Sequence, residues 1–278
     1  MNEEKQISLS VSLVVFDTPT SELSLTLQTL SDALMHATSV IDLKNSFLYL
    51  IDNSEEGTYS EFFRVMEKKY GETIGLELIS GHGNIGYGSA HNLAIRQSQC
   101  DYHIVMNPDV SLDTKTVKIG IEELEQEPSL SLLSPFAEDD SGQKQFLCKR
   151  YPSVFIFLAR GFLPYNLKKL FRRQLDSFEM KELSEERLTT GIRIVSGCFM
   201  FFRLKSVQEI NGFDERYFLY FEDFDICERI RSQGTIGYFP LMRITHGGGN
   251  SAKKGGKHIR MFIRSGITFF NTHGWKFF

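Results

Sequence analysis

With 278 residues, 41% hydrophobic and 13% aromatic, the chain can bury a sizeable core as one large α/β domain or two small ones. Cys100, Cys148, Cys198 and Cys227 stand far apart with no CxxC pair, so neither a disulfide framework nor a zinc ribbon is indicated and a reducing cytoplasm fits best. The net charge of -4 gives no reason to expect nucleic acid as a partner, but it conceals an asymmetry: Ser141–Leu175 and Ser251–Phe278 are rich in Lys and Arg and hold no acid, so all 35 acids lie elsewhere.

Two basic stretches of this kind suit an anionic partner, either phosphates or an acidic membrane surface, or else form a merely solvated face. The N-terminal MNEEKQISLS lacks the pattern of a signal peptide, and no segment nears the roughly 18 apolar residues of a membrane span. A cytoplasmic protein is expected, with any membrane contact peripheral.

In chain order, Ile7–Phe16 reads as a buried strand that breaks at Asp17-Thr18-Pro19. Thr20 or Ser21 can cap a helix over Ser21–His36, where Leu23, Leu27, Leu30 and Leu34 fall at helical spacing. Phe47–Ile51 is a second strand, stopped by Asp52-Asn53-Ser54; Tyr59–Tyr70 is a helix and Leu76–Ile79 a third strand. A glycine-rich loop, Gly81–Gly88, leads to a helix over Ala90–Gln97, and the strand Tyr102–Met106 ends in Asn107-Pro108-Asp109. The alternation implies a doubly wound, mostly parallel sheet that binds ligands beyond the carboxyl ends of its strands. Asp17, Asp52 and Asp109 would all stand on that edge, although any one of them is also an ordinary turn former.

Gly81-His-Gly-Asn-Ile-Gly86 matches GxGxxG, yet it follows the third strand rather than the first, so close backbone approach or tight packing explains it better than a dinucleotide. Lys115–Glu127 is helical, Leu130–Phe136 is a strand, and a turn at Glu138–Gly142 ends the regular alternation. Tyr151–Arg173 mixes bulky apolar residues with Arg and Lys and is broken by Pro164; it reads either as an interfacial segment or as an amphipathic helix on the sheet.

Cys198–Phe202 is a strand, and Asn211-Gly212 is a turn that leads into an aromatic stretch carrying Glu222, Asp223 and Asp225. Carboxylates beside apolar surface can be tuned as general bases, whereas acids opening a helix over Asp223–Gly234 also complement its dipole without catalysis. Ile236–Pro240 is a short strand, Thr245–Ser251 a polar loop containing His246, and Lys257–Asn271 a basic helix able to cover phosphates. His246 with Asp109 can complete an oxygen and nitrogen site for a divalent cation.

Asn84-Ile-Gly-Tyr-Gly-Ser-Ala-His-Asn92, Met106-Asn-Pro-Asp109, Ser196-Gly-Cys-Phe-Met200, Asn211-Gly-Phe-Asp-Glu215 and Tyr220-Phe-Glu-Asp-Phe-Asp225 occur in this order from Ser8 to Gly274. In this the chain resembles family 2 glycosyltransferases of the GT-A fold, and within them the bacterial rhamnosyltransferase-like branch that builds surface polysaccharides, O-antigen among them. The resemblance implies one domain over 1–278: a Rossmann-like nucleotide-sugar half at about 7–136, an acceptor and catalytic half at about 137–250, and a basic C-terminal helix at about 251–278.

It also implies roles. Asp17 and Asp52 match base and ribose contacts, and Asn84 and Gly86 lie in the loop lining the donor. Asp109 matches the last acid of a DxD motif that binds Mg²⁺ or Mn²⁺ on the donor diphosphate, and His246 matches a further metal ligand. Asp223 matches the general base, with Glu222 before it, and Arg229 matches a basic position on the donor side or in support of it. The expected reaction is an inverting, metal-dependent transfer, best matched by L-rhamnose from dTDP-rhamnose, to a lipid-linked oligosaccharide or growing polysaccharide. Asn107 departs from the motif, since an amide stands at the first DxD position, and it supports the alternative of a non-catalytic sugar-nucleotide or polysaccharide-binding subunit.

Overall fold

The computed structural model describes residues 6–54, 57–247 and 255–278. β1 (Ile7–Val15), α1 (Thr20–Val40), β2 (Leu43–Asp52), α2 (Ser60–Tyr70), β3 (Gly75–Ile79), α3 (Tyr87–Gln97) and β4 (Tyr102–Met106) form the expected alternation. β5 (Val110–Leu112), α4 (Thr116–Gln126) and β6 (Leu130–Glu138) follow, then the two-residue strands β7 (Lys144–Gln145) and β8 (Cys148–Lys149). α5 (Val154–Phe162), α6 (Tyr165–Lys168) and α7 (Arg172–Phe178) make a helical excursion before β9 (Thr189–Thr190), β10 (Ile194–Val195) and β11 (Phe199–Arg203). The chain finishes with α8 (Leu204–Glu209), α9 (Glu222–Ile230), β12 (Thr235–His246) and α10 (Gly256–His273).

The main sheet runs β3-β2-β1-β4-β11-β6-β12-β5. β3, β2, β1 and β4 are mutually parallel, and β6 is parallel to β12; β11 enters antiparallel between β4 and β6. The carboxyl ends of β1, β2 and β4 therefore share one edge.

Strand periodicity sends alternate side chains of β1 to opposite layers. Leu9, Val11, Leu13 and Val15 pack with α1, α2 and α4 residues such as Leu27, Met66 and Ile121. The opposite layer beneath α3 is polar close to the sheet. Ser12 Oγ lies 2.7 Å from His91 Nδ1 and 2.9 Å from His103 Nε2, while Ser10 Oγ lies 2.7 Å from His103 Nδ1 and accepts from Ser98 Oγ at 2.8 Å. Burial drives both imidazoles toward the neutral form, His103 down to about 3.

Several boundaries differ from the sequence reading. Pro19, not Thr20 or Ser21, precedes α1, and no side chain caps it. α3 starts at Tyr87, ahead of the expected Ala90. Residues expected as a short strand over Ile236–Pro240 and a loop from Thr245 are one strand, because β12 absorbs Pro240 in a register shift between Phe239 and Arg243 and resumes pairing to β6. His246 is therefore held in a strand opposite Val110 of β5 rather than in a loop; residues 248–251 of that expected loop lie outside the described residues.

Pro164 does divide the basic segment, standing just before α6. α5 packs Phe157 into an aromatic cluster with Phe221, Phe262 and Phe270, yet Leu158 and Leu170 remain exposed. All four cysteines are free thiols, and no helix among the described residues is long and apolar enough to cross a membrane.

Candidate active site

The strand ends open on a cleft of about 820 Å³. One wall comes from the loops after β1 and β4 and the end of β12, presenting Asp17, Asn107, Asp109 and His246; α10 closes the other side with Lys257, His258 and Met261. Asp17 holds φ at 51°, a left-handed conformation for a non-glycine residue at the mouth of a ligand site.

Asn84 and Gly86 line the same cleft. Asn84 Oδ1 accepts the Gly86 amide at 3.1 Å, and Gly86 has φ 92° with its backbone against Phe218: an added Cβ would stand 2.5 Å from the Phe218 carbonyl oxygen. Here the glycine pattern serves close packing between the loop and the segment that leads to the acids.

Asp52 is the last residue of β2 and is buried, not on the cleft wall. Its Oδ1 accepts the Ser54 amide at 2.8 Å, while Oδ2 has no hydrogen-bond partner among the described residues. The neighbouring Asn53, not singled out from the sequence, does line the cleft; its amide donates to Gly86 O at 3.1 Å and its Oδ1 is buried without a partner among the described residues. Of these two acceptors the one on Asn53 belongs to a residue that lines the cleft, where a bound group can reach it.

Asp109 and His246 come together, with 3.6 Å between Asp109 Oδ1 and His246 Nε2. Gln145 fixes the histidine. Its Nε2 donates to His246 O at 2.9 Å, which turns its Oε1 to His246 Nδ1 at 2.8 Å. Nδ1 must then carry the proton, and in the neutral ring Nε2 offers its lone pair toward Asp109. Cis ligands of an octahedral ion with bonds of 2.0–2.1 Å stand about 3 Å apart, against 3.6 Å here, and among the described residues no group of three or more His, Cys, Asp or Glu gathers to hold a metal; a cation here would use this pair and the Asn107 amide and draw its remaining ligands from phosphate and water.

The second set of acids lies behind that wall. α9 starts after Tyr220 and Phe221, two consecutive left-handed residues with φ 69° and 66°. That turn places Glu222 and Asp223 at the helix start against the cluster of Phe221, Phe224, Phe262 and Phe269. Burial pushes both carboxyls up, Glu222 to about 8 with help from the neighbouring Asp223 charge, and Asp223 to about 6. Asp223 Oδ2 accepts the Gly197 amide at 3.1 Å and Oδ1 the Phe224 amide at 3.0 Å; these bonds favour its charged form.

Asp223 is not on the cleft wall, but a short relay joins it to that wall. Tyr87 Oη lies 2.7 Å from Gly197 O and 3.0 Å from the Asn107 side chain. The Lys149 ammonium, lowered to about 8 by burial, adds positive charge that holds Asp223 below the level burial alone would set. Tyr87, Gln145 and Lys149 carried no signal in the sequence, because their partners are far along the chain.

Arg229 stands away from the cleft in the supporting position that the resemblance allowed, and its guanidinium donates to Asp225 Oδ2 at 2.7 Å, Ile210 O at 2.8 Å and Gly212 O at 2.7 Å. It therefore clamps the turn before the acids instead of meeting a donor. Asn92 holds the other side of that turn, donating to Phe213 O and accepting the Phe213 amide, both at 2.8 Å. A Cβ on Gly212 would meet Asn92 Oδ1 at 2.2 Å, so only glycine allows this approach. The conjunction of motifs noticed in the sequence is thus a set of mutual contacts.

The fold and the arrangement of strand-end acids define the chain as a GT-A glycosyltransferase fold. Residues 37–210 match the profile of Glycosyl transferase family 2, and the chain belongs to that family. It is 26% identical over 181 residues to the rhamnosyltransferase WbbL of Escherichia coli (strain K12), covering 62% of this chain and 64% of that protein. It is likewise 26% identical over 183 residues to an N-acetylglucosaminyl-diphospho-decaprenol L-rhamnosyltransferase of Mycobacterium tuberculosis (strain CDC 1551 / Oshkosh), covering 62% and 58%. The matches thus span less than two thirds of those relatives. Among solved structures, a mannosyltransferase of Pyrobaculum calidifontis in complex with GDP-Man and Mn²⁺ superposes with a TM-score of 0.57 at 14% identity, covering 87% of this chain and 57% of that one. GalNAc-T7 with UDP, GalNAc and Mn²⁺ gives 0.59 at 12%, covering 88% and 44%.

Proposed function

We propose that this chain transfers a sugar from a nucleoside diphosphate donor to an acceptor hydroxyl with inversion, and that the sugar is L-rhamnose from dTDP-rhamnose. The observation that carries this reading is the pairing of Asp109 and His246 at the cleft with Asp223, tied to that wall through Tyr87 and Gly197. Rhamnosyl transfer is taken from the relatives' names, and the Mn²⁺ in two structural neighbours agrees with the donor set found here.

In this reading Asp109, His246 and Asn107 hold Mg²⁺ or Mn²⁺, which when bound would neutralise charge on the departing diphosphate. Asp17, Asn53 and Asn84 line the cleft and fix the nucleotide, with Asp52 holding the Ser54 amide behind them. Asp223 takes the proton from the acceptor hydroxyl: with its affinity near pH 6 it is ionised at neutral pH yet more basic than an ordinary aspartate. Burial and the neighbouring Asp223 charge raise the Glu222 carboxyl, which favours its neutral form and lessens the opposition of two adjacent like charges.

The acceptor is proposed to be a lipid-linked oligosaccharide or growing polysaccharide at the inner membrane face. Ile259, Ile263 and Ile267 form an exposed stripe on α10, 50%, 52% and 47% accessible, with the exposed Arg260 and Arg264 beside it. Apolar insertion and attraction to anionic headgroups would hold such a helix at the surface, next to the cleft it borders.

The test is a donor screen on purified protein with Mn²⁺ or Mg²⁺, recording binding and slow hydrolysis across dTDP, UDP and GDP sugars. Selective response to dTDP-rhamnose is expected. Failure of every donor to bind, with or without metal, would remove the transferase reading and favour the non-catalytic binding subunit that Asn107 suggests.

A further inference from the structure

Asn107 stands where an amide replaces a carboxylate, and the two ends of an amide differ: the oxygen can ligate a cation and the NH2 cannot. Which end faces the cleft follows from counting protons, because amide oxygen and nitrogen are told apart by their partners. Tyr87 Oη is 2.7 Å from Gly197 O and 3.0 Å from the Asn107 Oδ1 position, while the Nδ2 position is 3.5 Å from His246 Nε2.

A phenol has one proton, and a peptide oxygen only accepts. The shorter contact, to Gly197, takes that proton. The phenol oxygen can then only receive a hydrogen bond, and the neighbour able to give one is the Asn107 NH2. On the far side the Gln145 contacts leave His246 Nε2 as a lone pair, and 3.5 Å is too long for a useful hydrogen bond from an amide. An oxygen at that position would instead lie 3.5 Å from Nε2, which itself stands 3.6 Å from Asp109 Oδ1, so that three lone-pair donors gather around the imidazole edge.

We infer that Tyr87 is a positioning residue: it turns the Asn107 amide so that NH2 meets the phenol and the oxygen joins Asp109 and His246 as a ligand for a divalent cation. This rests on the metal reading proposed above. It explains how an amide can serve where a carboxylate, with two equal oxygens, would need no orienting partner.

The test measures Mn²⁺ alone binding to the protein, read by the electron paramagnetic resonance of free Mn²⁺, with no donor or turnover involved. Tyr87→Phe keeps the ring and removes the hydroxyl; it should weaken Mn²⁺ about tenfold. Asn107→Ala should weaken it to a similar degree, and combining the two should add little. In an Asn107→Asp background, Tyr87→Phe should shift the Mn²⁺ affinity by less than about twofold, a rescue that a merely structural tyrosine would not show.

Equal Mn²⁺ affinity in wild type, Tyr87→Phe and Asn107→Ala overturns this inference while leaving the cation site standing. Equal weakening by Tyr87→Phe in the wild-type and Asn107→Asp backgrounds also overturns it. No Mn²⁺ binding by the wild type overturns the metal reading and this inference together.

Discussion

The two sides of the cleft are built differently. The wall with Asp17, Asn107 and Asp109 consists of strand ends, so its side chains are placed by the parallel register of β1, β2 and β4. The side carrying Glu222 and Asp223 hangs on long-range clamps: Arg229 on the Ile210–Gly212 carbonyls, Asn92 on Phe213, and Asp225 buried between Arg229 and His273, whose Nε2 lies 2.7 Å from Asp225 Oδ1. A sheet edge supplies position by itself; a half-buried base between the buried Glu222 and Asp225 needs tertiary bonds to hold its turn against strain and desolvation.

The difference is open to direct attack. The largest effect should come from Asp223→Asn, which removes the base and leaves the strand-end wall intact: transfer should fall by about 10²–10⁴-fold while donor affinity by calorimetry stays near wild type. Near-normal transfer would show that the buried side is only a scaffold. Asp225→Ala should destabilise the fold by about 2–4 kcal/mol in urea unfolding, because it empties a fully buried position and takes the shared carboxylate from the half-buried Arg229 and His273; a change below about 1 kcal/mol would mean that the acidic turn stands without its clamp.

On the strand-end side, Gln145→Ala frees the His246 ring and should weaken Mn²⁺ binding by about tenfold with little change in melting temperature. Glu222→Gln is expected to act most gently, and its sign depends on pH. The folded carboxyl is raised to about 8 from 4.5, so the native state holds the extra proton across that interval, and stability declines as pH rises through it. The amide cannot ionise, so the variant should melt at least ~3 °C above wild type at pH 9 and close to wild type at pH 5, by scanning calorimetry. Equal melting at pH 9 would place Glu222 in water.

Much of the strand-end wall was legible because its causes are local. Apolar strands broken by Asp or Asn announce both the sheet and its ligand edge, and Asn107-Pro-Asp109 lies just where β4 stops. β5 and β7–β10 were invisible because two or three residues carry no period. β12 reads as two pieces along the chain because Pro240 normally ends a strand, whereas here a register shift accommodates it. Glu222 and Asp223 stand out as acids among aromatics, but the sequence leaves Arg229 open between two roles: a helix-borne arginine looks the same whether it points to a phosphate or to peptide carbonyls. Tyr87 meets Gly197, 110 residues later, and Gln145 meets His246, 101 residues later, so neither pairing has a signature along the chain.

The serine and histidine cluster beneath α3 bears on where the protein can live. A histidine held neutral to about pH 3 in the fold titrates near 6.5 when the chain is open, so the unfolded state gains protons first as the medium acidifies, and stability is lost as pH falls below about 6.5. Glu222 works in the opposite direction, its contribution declining as pH rises above about 4.5. The two buried groups, on different elements and with unrelated partners, offset each other between about pH 4.5 and 6.5, so their joint contribution is greatest in that mildly acidic window: stronger acid damages the floor under α3, while a rise through neutrality presses on the start of α9.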